Sequence, residues 1–347
     1  MAKRQTTLAD LARELGISAA TVSRALKDYP DISAKTKERV MALAKERNYR
    51  PNSMAAGLRK RESRVIGVIV PSIVNHFFAS VIRGIMREAY ESDYRVMICQ
   101  SDESQDKECT DTRALFDRRV DGLMVSLAHE TEDLAHFQEV LDAGVPIVFF
   151  DKVPTRLNEV SKVEVDDFGG AFAVTQHLID QGYRRISHLT GPKTASTAQN
   201  RLLGYRRALE ANGIPYEPSR VFSSETFDFD SGKQMAKQAL TQSGGCDAIF
   251  GMTDLLAMSA LAAAQDLGLE VPKDLGVAGF SNWEMGARWT PAITSVDQPS
   301  EEMGRKATEL LLKEIQANKL DEPFDPVRVQ LETQLVIRKS SRRNDRS

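Results

Sequence analysis

The stretch that most constrains this chain is residues 6–60, where three short amphipathic segments separated by turn signals precede a small Ala-rich run. Thr7 is placed to cap a helix whose apolar residues Leu8, Leu11, Ala12 and Leu15 fall at helical spacing, and Gly16 supplies the turn that ends it. Ser18 is placed to cap a second helix through Ala19, Val22, Ala25 and Leu26. Ser33 opens a third, with Val40, Leu43 and Ala44, and Pro51 forbids its continuation. Helix, glycine turn, helix is the arrangement in which the second helix enters the DNA major groove. Charge points the same way. Residues 1–64 hold 15 Lys/Arg against 7 Asp/Glu, net +8, whereas the other 283 hold 31 against 42, net -11. A basic headpiece on an acidic body suits a nucleic-acid binder, because each phosphate contact releases counterions. The alternative is a helical cap whose charges are merely solvated.

Beyond residue 60 the pattern becomes an alternation of strands and helices. The 347 residues, 41% of them hydrophobic, are too many for one ordinary domain and ample for a sizeable core. Apolar runs at 64–71, 94–101, 120–126, 145–151, 185–192, 246–253 and 275–281 recur between amphipathic segments at intervals that suit βαβ units, so parallel sheets with helices on both faces follow. Two sheets are expected, over about 64–163 and 164–293. The segment after Gln298 returns to the first lobe through EEMGRKATELLLKEI, and a final strand, PVRVQLETQLVIR, closes on the second. The expected domains are a headpiece 1–50, a linker 51–63, a body 64–340 and a polar tail 341–347. Within the body, the first lobe takes about 64–163 and 296–325, the second about 164–293 and 326–340.

Other chemistries find little support. Cys99, Cys109 and Cys246 lack metal-ligand spacing and read as reduced thiols of a cytoplasmic protein. MAKRQTTLAD lacks the apolar core of a signal peptide, and no apolar run approaches transmembrane length. His76, His129, His136, His177 and His188 are scattered without nucleophile or metal partners, and there is no P-loop or GxGxxG after a strand. The competing class, a solute-binding or enzymatic α/β protein, would need a signal peptide or a catalytic constellation. No catalytic residue, metal or cofactor is expected.

The runs TLADLARELGISAATVSRAL, ISAKTKERV, NYRPNSMAAGL and VIGVIVPSIVNHFF, followed in order by VDGLMVS, PIVFFD, GYRRISHLTGP, NRLLGYRRAL, LGVAGF and ITSVDQP, resemble the lactose-repressor (LacI/GalR) family of bacterial transcription regulators over essentially the whole chain. The resemblance implies a helix-turn-helix headpiece on a two-lobed body of the periplasmic-binding-protein type. It further implies a homodimer on double-stranded operator DNA and a small-molecule effector, a sugar or sugar derivative, between the lobes. The expected function is ligand-responsive repression of carbohydrate-related genes. In the headpiece the resemblance puts Ala19 and Ala20 at the start of the recognition helix, where methyl groups only meet thymine methyls or exclude bulk. Ser23 and Arg24 lie one turn on; Arg24 reads a guanine, with a phosphate contact as the alternative. Thr7, Leu8 and Ala9 approach from the first helix, Ser18 and Thr21 hold phosphates, and Lys27 adds another phosphate contact. PNSMAAGL resembles the family's hinge helix, too short to be helical alone in water. Asn52, Ala55 and Leu58 are its DNA contacts, Leu58 as a minor-groove wedge; a plain linker is the alternative.

Ligands of open α/β sheets sit beyond the carboxyl ends of the strands. The resemblance carries the effector role onto Asn75, Phe77, Phe78 and Asp151 in the first lobe, onto Arg201, Phe227, Asp254, Ser281 and Asn282 in the second, and onto Gln298 near the crossing. Planar polar groups around aromatic faces suit a polyhydroxyl ligand. Phe77 and Phe78 follow a strand and open a helix, so at least one of them is expected to be core, and Asp254 can be the cap of the helix LLAMSALAAA. Two positions depart from the family pattern: Ser281 stands where Asp is usual and Thr253 where Asn is usual. Asn282, Arg201 and Asp151 are then the expected anchors, and phosphorylated or acidic sugars stay open. The dimer is expected to form through first-lobe helices such as the one holding Val81, Ile82 and Ile85. KSSRRNDRS has no heptads that would make a tetramer.

Overall fold

Every helix start in the headpiece is written as a side chain that satisfies an otherwise orphaned amide. The computed structural model describes residues 6–49, 62–192, 194–224 and 228–343, and divides into two compact units after Ser63. In the first unit, Thr7 caps α1 (Leu8–Leu15) in a reciprocal box: its hydroxyl accepts from Asp10 N at 3.2 Å, and the Asp10 carboxylate accepts from Thr7 N at 3.0 Å. Gly16 ends the helix at φ +65°, a conformation that penalises any Cβ. Ser18 caps α2 (Ala19–Leu26) and Ser33 caps α3 (Ala34–Glu46). Leu11, Val22 and Val40 are fully buried where the three helices meet, each worth roughly 1.5–3 kcal/mol of apolar burial. Leu8, expected to face the groove, is half-buried against this core.

The second unit holds two six-stranded sheets. β1 (Val65–Val70), β2 (Arg95–Gln100), β3 (Gly122–Val125), β4 (Ile147–Phe150), β5 (Ser161–Val165) and β11 (Arg328–Leu331) form the first, in the order β11-β5-β4-β3-β1-β2, all parallel. β6 (Ile186–Thr190), β7 (Val221–Ser223), β8 (Ala248–Gly251), β9 (Gly276–Phe280), β10 (Thr294–Asp297) and β12 (Gln334–Val336) form the second, in the order β12-β10-β9-β8-β6-β7, with only β12 antiparallel. Strand order reverses at β1 in one sheet and at β6 in the other. The loops after these strands and their neighbours therefore form crevices of the kind in which open α/β sheets place ligands.

Three boundaries differ from the sequence expectation. The final apolar stretch does not close on the second lobe as one strand: Arg328–Leu331 joins the first sheet beside β5 and Gln334–Val336 joins the second beside β10. The second sheet also reaches past residue 293, because β10 pairs with β9. Residue 341 is no tail: Ser340 and Ser341 are fully buried, Ser340 Oγ donating to Val277 O at 2.6 Å and Ser341 Oγ lying 2.6 Å from Thr294 Oγ1. Polar alternation in SKVEV hides β5 from an apolar scan, and each half of the split strand is too short to show its partner.

In the first lobe, α4 (His76–Glu91) crosses α12 (Ser300–Leu320) backbone to backbone. A Cβ at Gly84 would lie 2.1 Å from Glu301 O, and one at Gly304 would lie 2.1 Å from Val81 O, so both crossing points require glycine. Val81 and Ile85 are fully buried in this lobe's own core, and Ile82 packs against it. They are spent inside the lobe, so any contact this helix makes with a second copy falls to its other side chains. The exposed apolar side chains nearby are Met86 and Tyr90 on α4 and Met97 and Ile98 on the edge strand β2.

Candidate effector cleft and nucleic-acid interface

Strand ends of both lobes converge on a cavity of about 90 Å³. Asn75 caps α4, its Oδ1 accepting from Phe77 N at 2.9 Å, and so places Phe77 and Phe78 at the cavity wall; both rings also belong to the core. Asp151 follows β4 in the left-handed region, φ +58°, which turns its carboxyl into the cavity. It is buried, with Ser126 Oγ 3.5 Å from its carboxylate, and burial, opposed by the charge of Arg201, pushes it up to about 7.

Arg201 comes from α8 (Ser196–Ala211) of the second lobe and is 3% exposed. Its Nε donates to Asp167 Oδ1 at 2.8 Å, its Nη2 lies 2.7 Å from the same oxygen, and its Nη1 donates to Met252 O at 2.7 Å. The guanidinium carbon lies over Phe280, 3.9 Å from the ring centre. Burial pushes the Asp167 carboxyl up, and Arg201 pulls it back. Three of the five guanidinium N–H donors are thus committed, which leaves two for the cavity.

Ser281 and Gln298 complete the expected lining; the Gln298 amide nitrogen is buried with no hydrogen-bond partner in the structure. Asp254 and Asn282 do not line it. Asp254 accepts from Ser295 Oγ at 2.6 Å and from Trp283 N, fastening the 281–283 loop, and burial pushes it up to about 7. Asn282 Nδ2 donates to Asp297 Oδ1 at 2.7 Å, and its Oδ1 accepts from Arg338 at 2.6 Å. Both residues shape the wall from behind, their polar atoms consumed by the protein. Phe227 lies outside the described residues.

Sequence reasoning missed Glu103, His129 and Lys152. Lys152 Nζ sits 2.6 Å from both Glu103 oxygens, and His129 Nδ1 lies 3.0 Å from Oε2. Burial alone would raise Glu103, but the His129 hydrogen bond and the Lys152 ammonium outweigh it and hold the carboxyl at about 2. The adjacent lysine in the Asp-Lys pair after β4 was the only available signal. The lobes touch across the cavity where Thr194 Oγ1 donates to His129 O at 2.6 Å, where Val153 N donates to Ser196 Oγ at 3.4 Å, and where His76 and Trp283 face each other at 6.1 Å.

In the headpiece, Thr7, Ala9, Ser18, Ala19, Ala20, Arg24 and Lys27 are exposed, and Thr21 and Ser23 half-buried. Ser18 Oγ and Thr21 Oγ1 are hydrogen-bonded to each other at 2.8 Å, so the cap already uses part of their capacity for phosphate. Arg24 is ion-paired with Asp31. Asn52, Ala55 and Leu58 lie outside the described residues. Among those described, no cluster of three His, Cys, Asp or Glu is arranged for a metal, and no helix is long and apolar enough to cross a membrane.

Residues 7–52 match the bacterial regulatory proteins of the lacI family, and residues 175–341 match a periplasmic binding protein-like domain. Catabolite control protein A of Priestia megaterium is 32% identical over 97% of this chain and 99% of its own. The chain belongs to the LacI family. Solved structures agree with this. The cellobiose complex of the transcriptional regulator CelR superposes with a TM-score of 0.74 at 30% identity, covering 97% of this chain and 100% of its own. The lac repressor dimer bound to operator and an anti-inducer superposes with a TM-score of 0.82 at 26% identity, covering 97% and 99%. The regulator is a DNA-binding protein with a ligand-binding body, and the family's members are transcriptional regulators.

Proposed function

We propose that this regulator is a cytoplasmic repressor that binds its operator as a homodimer and responds to an uncharged sugar held between the lobes. Charge balance in the cleft carries the choice of ligand. Arg201 is matched by Asp167 and Lys152 by Glu103, so neither cation is left to receive a phosphate ester or an acid. The groups that remain suit hydroxyls: Asp151 accepts, the Gln298 amide nitrogen and two Arg201 N–H groups donate, and Phe78 offers an apolar wall. That CelR is known in complex with cellobiose supports the same ligand class.

A thermal-shift screen of neutral sugars and their phosphate esters tests this, since a ligand at 100 times its dissociation constant adds about 2.7 kcal/mol of stability. A neutral sugar is expected to raise the melting temperature and Gln298→Ala to abolish the response. Stabilisation by phosphate esters alone would reject the proposal.

The dimer is supported by the lac repressor dimer's likeness and by the exposed apolar side chains Met86, Tyr90, Met97 and Ile98 on one lobe. Operator contacts are assigned to Thr7, Ala9, Ser18, Ala19, Ala20, Thr21, Ser23, Arg24 and Lys27.

A further inference from the structure

Arg24 leaves the last turn of α2 with its side chain half exposed, yet it is held on two sides. Its Nη2 lies 2.6 Å from Asp31 Oδ2, and its guanidinium carbon sits 5.4 Å from the centre of the Tyr29 ring. Tyr29 and Asp31 belong to the turn between α2 and α3, which is itself anchored. Tyr29 N donates to Arg24 O at 3.1 Å, Ile32 N donates to Tyr29 O at 3.3 Å, and Asp28, at φ +58°, pairs with Lys37 at 2.6 Å.

In a segment of net charge +8 that meets a polyanion, a carboxylate beside a groove-facing cation is an electrostatic loss for any phosphate contact the cation makes. Exposed ion pairs add little to folding stability, so the fold does not need it either. What the arrangement does provide is orientation. A guanidinium is a rigid plane of five donors. With one end taken by Asp31 and one face over Tyr29, its free edge becomes a fixed two-pronged donor, the geometry that guanine O6 and N7 demand.

We propose that Asp31 is a specificity-positioning residue, which together with Tyr29 presets Arg24 as a base-reading fork and keeps it off the phosphates. The proposal rests on the assignment of Arg24 to base reading, and the two are separable. The full-length protein first selects its preferred duplex from a random pool. Affinities for that duplex and for an unrelated one are then measured over a range of salt.

Asp31→Asn is expected to weaken binding to the selected duplex and tighten binding to the unrelated one, so that their ratio falls by about tenfold, the loss of one base-reading pair. On unrelated DNA the salt dependence should steepen by about 0.9 log unit per log unit of salt, the signature of one added phosphate contact. Asp31→Glu should restore most of the discrimination. An unchanged ratio for Asp31→Asn, or an equal loss on both duplexes, overturns the proposal, the second result making Asp31 a structural residue. If Arg24→Ala leaves discrimination intact, the base-reading assignment itself fails; if it relaxes discrimination while Asp31→Asn does not, only the role of Asp31 falls.

Discussion

Asp151 and Arg201 face the same cavity but respond to change in opposite ways. Asp151 is buried more strongly than the nearby charges of Arg201 and Lys152 can offset, and its folded value of about 7 lies above the ordinary 3.8. Its neutral form is the one the fold prefers, so its contribution to stability is complete below about pH 4 and is lost as pH rises towards 7. Asp151→Asn is therefore expected to flatten the fall in melting temperature over that window. Hydroxyl donors bind the ionised form, so effector affinity should rise with pH through about 7 in the native protein and lose that rise in the variant. Arg201 cannot be probed so cleanly. Removing it strands the buried Asp167 carboxylate, and Arg201→Ala should cost about 3–5 kcal/mol of body stability, read as a lowered denaturation midpoint, before any effect on ligand is seen. Gln298→Ala is the sharper probe, because that amide nitrogen has no protein partner to strand.

At the scale of elements, the α4–α12 crossing leaves no room for a methyl group at Gly84 or Gly304. Gly304→Ala has to push the two helices apart and should cost about 1–3 kcal/mol or more, visible as a lower melting temperature of the body. Elements specified by near neighbours were legible in the sequence. Thr7, Ser18 and Ser33 cap the three headpiece helices and Gly16 ends the first, each acting within a few residues of itself, and the seven apolar runs all contain strands. The cleft was legible only in part. Asp254 meets Ser295 41 residues away and Asn282 meets Arg338 56 residues away, and no local pattern shows that these partners have consumed them. Glu103 and Lys152, 49 residues apart, likewise become one ion pair only once the first sheet has formed. Helical periodicity identifies the apolar face of Val81 and Ile85 without telling which neighbour covers it, and that neighbour is the lobe's own core.

For the molecule as a whole, effector and operator binding have to be linked reciprocally, with a coupling of typically 1–3 kcal/mol. The contacts of Thr194 with His129 and of His76 with Trp283 bridge the lobes, so an effector that changed the lobe angle would have to keep or break them. Tyr90, 72% exposed, is expected to lie between copies: Tyr90→Asp should yield monomers by light scattering and weaken operator binding, while ligand-induced stabilisation of the body persists.

The divided last strand bears on how such a molecule is made. Arg328–Leu331 borders one sheet and Gln334–Val336 the other, with only Glu332 and Thr333 between them. Neither half of the body corresponds to a continuous length of polypeptide: the first sheet is not finished until residue 331 has been synthesised, nor the second until residue 336. During translation the growing chain carries two unsealed sheet margins at β5 and β10, the kind of backbone edge that invites pairing with a stranger. A product stopped between residues 321 and 327 keeps every other strand and still bares both margins, so it should accumulate as aggregate rather than as a weakened regulator.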